Sequence, residues 1–270
     1  MPDRRLLARI ARGVGFAALA LLVAAIGIWG ALLLEYAGPR NGLLRTVLVV
    51  GFAVAAAATL IALFVRRWRW PTIAVYVVLC AGLFALWSSL EPTNDRDWQP
   101  DLAVLAYSTA DGSKVTVHNI RNFDYRSETD YTPAYYDKTF DLRELRSLDV
   151  VTSYWSGPTI AHVFVTFGFA GDDYLAMSIE VRKPKGEAYS TLKGFFRQYE
   201  LIYIVADERD VIRLRTNYRR DPPENVYIYR TGSSIEAKRR LFLEYMRRIN
   251  ALETQPEFYN TLTTNCTTTI

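Results

Sequence analysis

The chain has 270 residues, 50% of them hydrophobic, with 32 Lys and Arg against 28 Asp and Glu. The first 91 residues hold 9 of the basic and 3 of the acidic side chains, so the remaining 23 basic and 25 acidic residues leave positions 92–270 close to neutral. That excludes the basic stripe of a nucleic-acid binder, and the two cysteines, Cys80 and Cys266, exclude a disulfide framework.

In chain order, the first feature is three uncharged apolar runs at 14–34, 46–65 and 71–90. Each is about 20 residues long, enough at a rise of roughly 1.5 Å per residue to cross a hydrocarbon core of about 30 Å. Residues 1–91 are therefore expected to form a transmembrane anchor of three helices. The first run exceeds the roughly 7 to 15 apolar residues of a cleaved signal, and two more follow it, so it is expected to be retained. Gly27, Gly30 and the alanines at 55–58 would let the helices pack closely in lipid. Arg4, Arg5, Arg9 and Arg12 precede the first run, and Arg66, Arg67 and Arg69 lie between the second and third. Both segments are expected on the cytoplasmic side, which puts everything after the third helix outside. The expected location is the bacterial inner membrane, with a C-terminal domain in the periplasm.

Residues 92–100, bounded by Pro92 and Pro100, read as a polar linker, and 101–270 as the outer domain. Strands are predicted at 102–107 and 114–120 around the turn Asp111-Gly112-Ser113. The segment 121–149 has little periodicity beyond a helical turn at 141–146, and a strand follows at 149–155. Residues 161–169 and 174–182 form a predicted hairpin about Ala170-Gly171-Asp172-Asp173. Further strands are predicted at 201–206, 210–214 and 225–229. The spacing of Leu241, Tyr245, Ile249 and Leu252 predicts a helix opened by the capping box Ser233-x-x-Glu236 and ended by Pro256. The fold class is α+β, with an antiparallel sheet.

His118 and His162 are the only histidines, and Cys266 is the only cysteine outside the apolar runs. A thiol and an imidazole are the minimum for a thiol nucleophile, because the ring takes the proton and the thiolate attacks a carbonyl. The plain alternatives are a satisfied core histidine and a structural cysteine. A turn centred between Gly171 and Asp172 puts Glu180 opposite His162, with β-carbons about 5 Å apart, where the carboxylate can fix the tautomer. A slip of one residue would undo that pairing. Arg182 shares the face of Glu180, and a surface ion pair would also account for these groups. Thr264 or Asn265 could cap a new helix with Cys266 in its first turn, where free amides favour a thiolate and can donate to an oxyanion. Arg213 and Arg215 alternate on the predicted strand and could bind a phosphate. No metal-ligand spacing, Gly-rich phosphate loop or G-x-S-x-G elbow is present, so neither metal nor cofactor is expected.

The run Asn119-Ile120-Arg121-Asn122-Phe123-Asp124-Tyr125-Arg126, then Ala161 through Ser178-Ile179-Glu180-Val181-Arg182, resembles the Lnb N-terminal periplasmic domain family. So do Arg197-Gln198-Tyr199-Glu200-Leu201, Leu214-Arg215-Thr216-Asn217, Phe258-Tyr259-Asn260 and Asn265-Cys266-Thr267-Thr268. The resemblance spans nearly all of 98–270. It implies a permuted papain-like fold of the NlpC and lecithin:retinol acyltransferase kind, in which the histidine precedes the cysteine. It further implies a membrane-anchored acyltransferase that moves a fatty acyl chain from a phospholipid donor to the N-terminal amine of a diacylated lipoprotein. Cys266 would carry the acyl group and His162 would be the base. It also implies a helix and further segments after the cysteine, where this chain has four more residues, so the helix of the nucleophile is expected to be incomplete. Two other readings stay open: a cysteine peptidase or amidase acting on cell-wall peptide with the same pair, and a non-catalytic envelope module.

Overall fold

The computed structural model describes residues 4–266, apart from the Leu6 side chain, and divides into two compact units, Met1–Glu91 and Pro92–Ile270. The first holds helices α1 (Arg4–Ala37), α2 (Gly42–Ala62) and α3 (Arg69–Ser88). All three are long and apolar enough to cross a membrane. Helix α1 begins before the predicted span because the basic N-terminal segment continues it in helical form. Helix α2 starts at Asn41, whose Oδ1 accepts from the Leu44 amide at 3.1 Å. The glycines act as the sequence predicts. A Cβ on Gly27 would come 2.9 Å from that of Ala56, and one on Gly30 would enter the Phe52 ring. Tyr76 donates to the Val23 carbonyl at 3.0 Å and stacks on Phe52 at 5.6 Å, so its hydroxyl is buried with a partner.

The second unit is built on strands β1 (Tyr107–Asp111), β2 (Lys114–Arg121), β5 (Tyr135–Asp141), β6 (Leu145–Tyr154), β7 (Ala161–Phe169), β8 (Asp173–Arg182), β9 (Glu200–Ala206) and β10 (Asn225–Arg230). They form one sheet in the order β1-β2-β9-β8-β7-β6-β10, with β5 also paired to β2. Every pairing is antiparallel except β2 with β9, so the class is α+β as the sequence predicts. A small ladder joins β3 (Asp124–Tyr125) to β4 (Tyr131–Thr132). Helices α4 (Thr191–Phe195), α5 (Glu208–Arg213) and α6 (Ile235–Thr254) complete the unit, with a π turn at Leu214–Tyr218 after α5.

Alternation along the strands sorts the core into two layers. Val165, Phe167, Leu175 and Met177 meet Phe242, Tyr245, Met246, Ile249 and Leu252 of α6. Those helical positions recur at three and four residues, the stripe that buries one face of a helix. On the other side Phe164, Ala176, Ile202 and Ile204 pack with Leu102 and Val211.

Four local expectations need correction. The strand predicted at 102–107 begins only at Tyr107, because side chains take the preceding carbonyls: Arg182 binds those of Leu102 and Ala103, and Asn119 that of Leu105. The strand predicted at 210–214 is helix α5, since Asp207 caps it by accepting from the Arg209 amide at 3.0 Å. Ser234, not Ser233, caps α6 by accepting from the Ala237 amide at 3.2 Å, while Ser233 bonds Thr231. The expected linker is strapped onto its own unit. Asn94 donates to the Leu252 carbonyl at 2.9 Å, Gln99 N to Lys183 at 3.1 Å and Lys185 N to Asp97 at 2.7 Å.

Between β7 and β8 the ladder runs from Phe169↔Asp173 to Val165↔Met177 and stops there. Beyond it β7 still pairs with β6 as far as Ala161, and β8 with β9 as far as Arg182. The sheet is therefore forked, and the candidate site opens at the fork.

Candidate active site

The fork opens into a cleft of about 550 Å³ lined by His162 on one prong, Glu180 on the other, and Arg215 and Cys266. The register carries the pairing that the turn predicts, although the two residues meet through side chains rather than through a backbone ladder. His162 Nε2 is 3.1 Å from Glu180 Oε1. Ser178, fully buried and two residues before Glu180 on the same face, inserts its hydroxyl between them. Its Oγ lies 2.7 Å from His162 Nε2 and donates to Glu180 Oε1 at 2.7 Å.

Arg215 holds the carboxylate from behind. Its Nη2 donates to Glu180 Oε1 at 2.7 Å and its Nη1 to the Val211 carbonyl at 2.9 Å, with the guanidinium 4.9 Å over the Phe164 ring. The π turn sets this direction, because it swings Arg215 inward at the end of α5. Charges alternate outward from there. Arg215 Nε is 3.8 Å from Glu224, Arg219 Nη1 is 2.9 Å from Glu224, and Arg219 Nε is 3.1 Å from Glu128.

His162 Nε2 is engaged by Ser178 and Glu180, and the imidazole also shares a hydrogen bond with the Cys266 side chain. Burial works against a charged ring, but the nearby Glu180 charge and the bonds with Cys266 and Glu180 outweigh it and raise His162 from 6.5 to about 9. Glu180 moves the other way: burial opposes its charge, yet His162 and Arg215 hold the carboxyl well below its usual range. Near neutral pH the pair is an imidazolium on a carboxylate, and an imidazolium beside a thiol favours the thiolate. Tyr259 also lines the cleft, and burial, with Cys266 and Glu180 among the charges nearby, pushes its phenol up so that it stays protonated.

Of the six predicted site residues, Cys266, His162, Glu180 and Arg215 converge. Arg215 does not stand free for a phosphate, because Glu180 and Val211 occupy two of its nitrogens. Arg182 and Arg213 do not line the cleft. Arg182 is buried, donating to Leu102, Asn94 and Ala103 at 3.0, 2.7 and 2.8 Å and stacking on Trp98 at 4.3 Å. It secures the strap. Arg213 is exposed over Tyr218, since residues two apart on a helix face different ways, unlike those on the predicted strand. His118 sits elsewhere, 2.7 Å from Asp137. The helix expected to follow Cys266 falls on residues 267–270, outside the described residues.

Sequence reasoning misses Ser178, which the two-residue period of β8 places beside Glu180, and the bracing role of Arg215, which needs helix α5 in place of the predicted strand. Replacing Ser178 with alanine should lower the rate of Cys266 alkylation about tenfold or more, the worth of a hydrogen bond to a charged group. The check is iodoacetamide kinetics in a Cys80→Ser background; an unchanged rate would show that Glu180 alone positions the ring.

Searches among curated proteins and among solved structures give no match. The family model for the Lnb N-terminal periplasmic domain matches residues 131–270, a segment that contains the fork, both of its prongs, Arg215 and Cys266. Since that match takes in more than half the chain and every residue of the constellation, this membrane-associated module belongs to the Lnb N-terminal periplasmic domain family.

Proposed function

We propose that the protein is a membrane-anchored thiol acyltransferase that carries a fatty acyl chain from a phospholipid to the N-terminal amine of a diacylated lipoprotein. The observation that carries this reading is the hydrogen bond between Cys266 and a histidine that Ser178, Glu180 and Arg215 hold in place. The Cys266 thiolate attacks the ester carbonyl of the donor, forming a thioester as the ester C–O bond breaks. His162 gives its proton to the departing oxygen, releasing a lysophospholipid. The neutral ring then takes a proton from the incoming amine, which attacks the thioester. The C–S bond breaks, an amide forms, and the proton returns with the thiol. Tyr259, a protonated phenol in the cleft, is suited to donate to the developing oxyanion.

Anchoring supports the same reading, because both substrates keep their acyl chains in a bilayer, and confinement beside them raises the rate of encounter. The basic segments around the first three helices favour an inner-membrane, multi-pass arrangement with the domain in the periplasm.

The test uses the full chain in phosphatidylethanolamine vesicles with a lipid-radiolabelled diacylated lipoprotein. A more slowly migrating triacylated band is expected, and Cys266→Ser should abolish it. Cleavage of a cell-wall peptide without that band would instead favour the peptidase reading. A protein inert in both assays would leave a non-catalytic module and overturn the proposal.

A further inference from the structure

Among the described residues of the second unit, ten large apolar side chains are exposed. Five of them, Trp155, Ile160, Tyr189, Leu192 and Leu262, lie on three segments around the mouth of the cleft, with exposures of 42, 48, 44, 47 and 67%. Trp155, Ile160 and Tyr189 line it directly. Leu192 and Leu262 follow Thr191 and Thr261, which are joined by a hydrogen bond of 3.0 Å, and Thr261 lines the cleft as well. Scattered apolar side chains on a surface need no explanation, but several of them on the segments that border one opening do.

We infer that this rim is a membrane-docking surface that enters the interfacial layer of the bilayer, so that an acyl chain passes from lipid to Cys266 without crossing water. Trp and Tyr prefer the boundary between hydrocarbon and headgroups, and the isoleucine and leucines suit its apolar side. Inside the rim Val181, Ile204 and Leu214 give the otherwise charged cleft an apolar wall against which methylenes can pack. A lipid surface is favoured over a protein partner because the same chain carries three helices able to cross a membrane, so a bilayer is always within reach of the domain. The inference rests on the acyltransferase reading for its cargo, but the docking it describes is measurable separately.

The test is carried out on the full chain with Cys80→Ser and Cys266→Ser, in vesicles of phosphatidylethanolamine and phosphatidylglycerol. A single cysteine is introduced by Ile160→Cys, Leu262→Cys or, as a control on α6, Glu244→Cys, and labelled with a polarity-sensitive fluorophore. Lipid-borne quencher should dim labels at 160 and 262 several-fold more than at 244, with blue-shifted emission. Equal quenching at all three positions, or emission that changes with the protein-to-lipid ratio as a second copy docks, overturns the inference. Because this protein lacks the thiol, the result stands whether or not acyl transfer is ever detected. If the transferase reading holds, Leu192→Asp with Leu262→Asp, neither of which lines the cleft, should raise KM for a vesicle-borne donor while sparing a soluble short-chain ester. Equal loss on both donors also overturns it.

Discussion

Replacing His162 with alanine should slow acylation of Cys266 by about 10³-fold, the scale of losing a positioned acid–base group. The measurement is single-turnover transfer from a fluorescent ester, with Cys80→Ser in every variant. Glu180→Gln is the more discriminating partner, because it alters the histidine without touching the thiol. In the intact protein burial disfavours the imidazolium, and Glu180 with the Cys266 hydrogen bond overcomes it, so the ring stays protonated until pH rises through about 9. The thiolate and imidazolium pair should persist to that point, and the alkaline limb of the pH profile should fall there. Without the carboxylate charge, burial and Arg215 both favour the neutral ring, and the limb should move down by more than one unit. A limb that stays near 9 in Glu180→Gln would mean that another group sets it. Stability follows the same proton. A histidine whose pKa rises on folding stabilises the fold fully below about 6.5, and that contribution is lost as pH climbs through about 9.

The second large effect concerns Asp210, which has no exposed surface. Its carboxylate accepts from Arg121 Nη2 at 2.7 Å, from Arg121 Nε at 3.1 Å and from the Phe123 amide at 2.8 Å. Arg121 is itself only 5% exposed, so truncating its partner leaves a buried charge without compensation. Asp210→Ala should cost about 3 to 5 kcal/mol, and thermal unfolding of the detergent-solubilised chain should fall by about 10 °C or more. Replacing both members, Arg121→Met with Asp210→Leu, should recover much of that loss, since removing a whole buried pair is far less costly than breaking it. A single variant that unfolds within a few degrees of the parent would overturn this account. Acylation should suffer too, because Asp210 lies in the helix that leads into the turn carrying Arg215.

Long-period features were the most legible from sequence. Three uncharged runs announced the helical anchor, and the Gly171 turn fixed the parity that brings His162 and Glu180 together, because a strand alternates strictly and the turn sets its phase. Short-range competition was less legible. The Val-Ile-Arg-Leu run at 211–214 has strand propensity, and the Asp207 cap together with the anchoring of Asp210 by Arg121 and Phe123 accompanies its helical form. Residues 121–141 hid β3, β4 and β5 because Phe123, Tyr125, Tyr131 and Tyr135 pack on one another in a satellite cluster and show no alternation. Arg182 has the parity of a site residue, yet the strap claims its guanidinium, and no pattern within a single strand reports what a distant segment will take.

The forked ladder reaches past side chains altogether. In a continuous antiparallel sheet, main-chain amides and carbonyls are consumed by the neighbouring strand. Where β7 and β8 part, that neighbour is missing, and the sheet gains a short internal pair of edges beside Cys266. Polar groups there belong to the backbone and are common to every residue type, so an alanine scan of the cleft cannot delete them. Whatever binding they supply to an ester or an amide would survive every side-chain substitution, as a floor of affinity that only a change in strand geometry, such as proline on a prong of the fork, could remove.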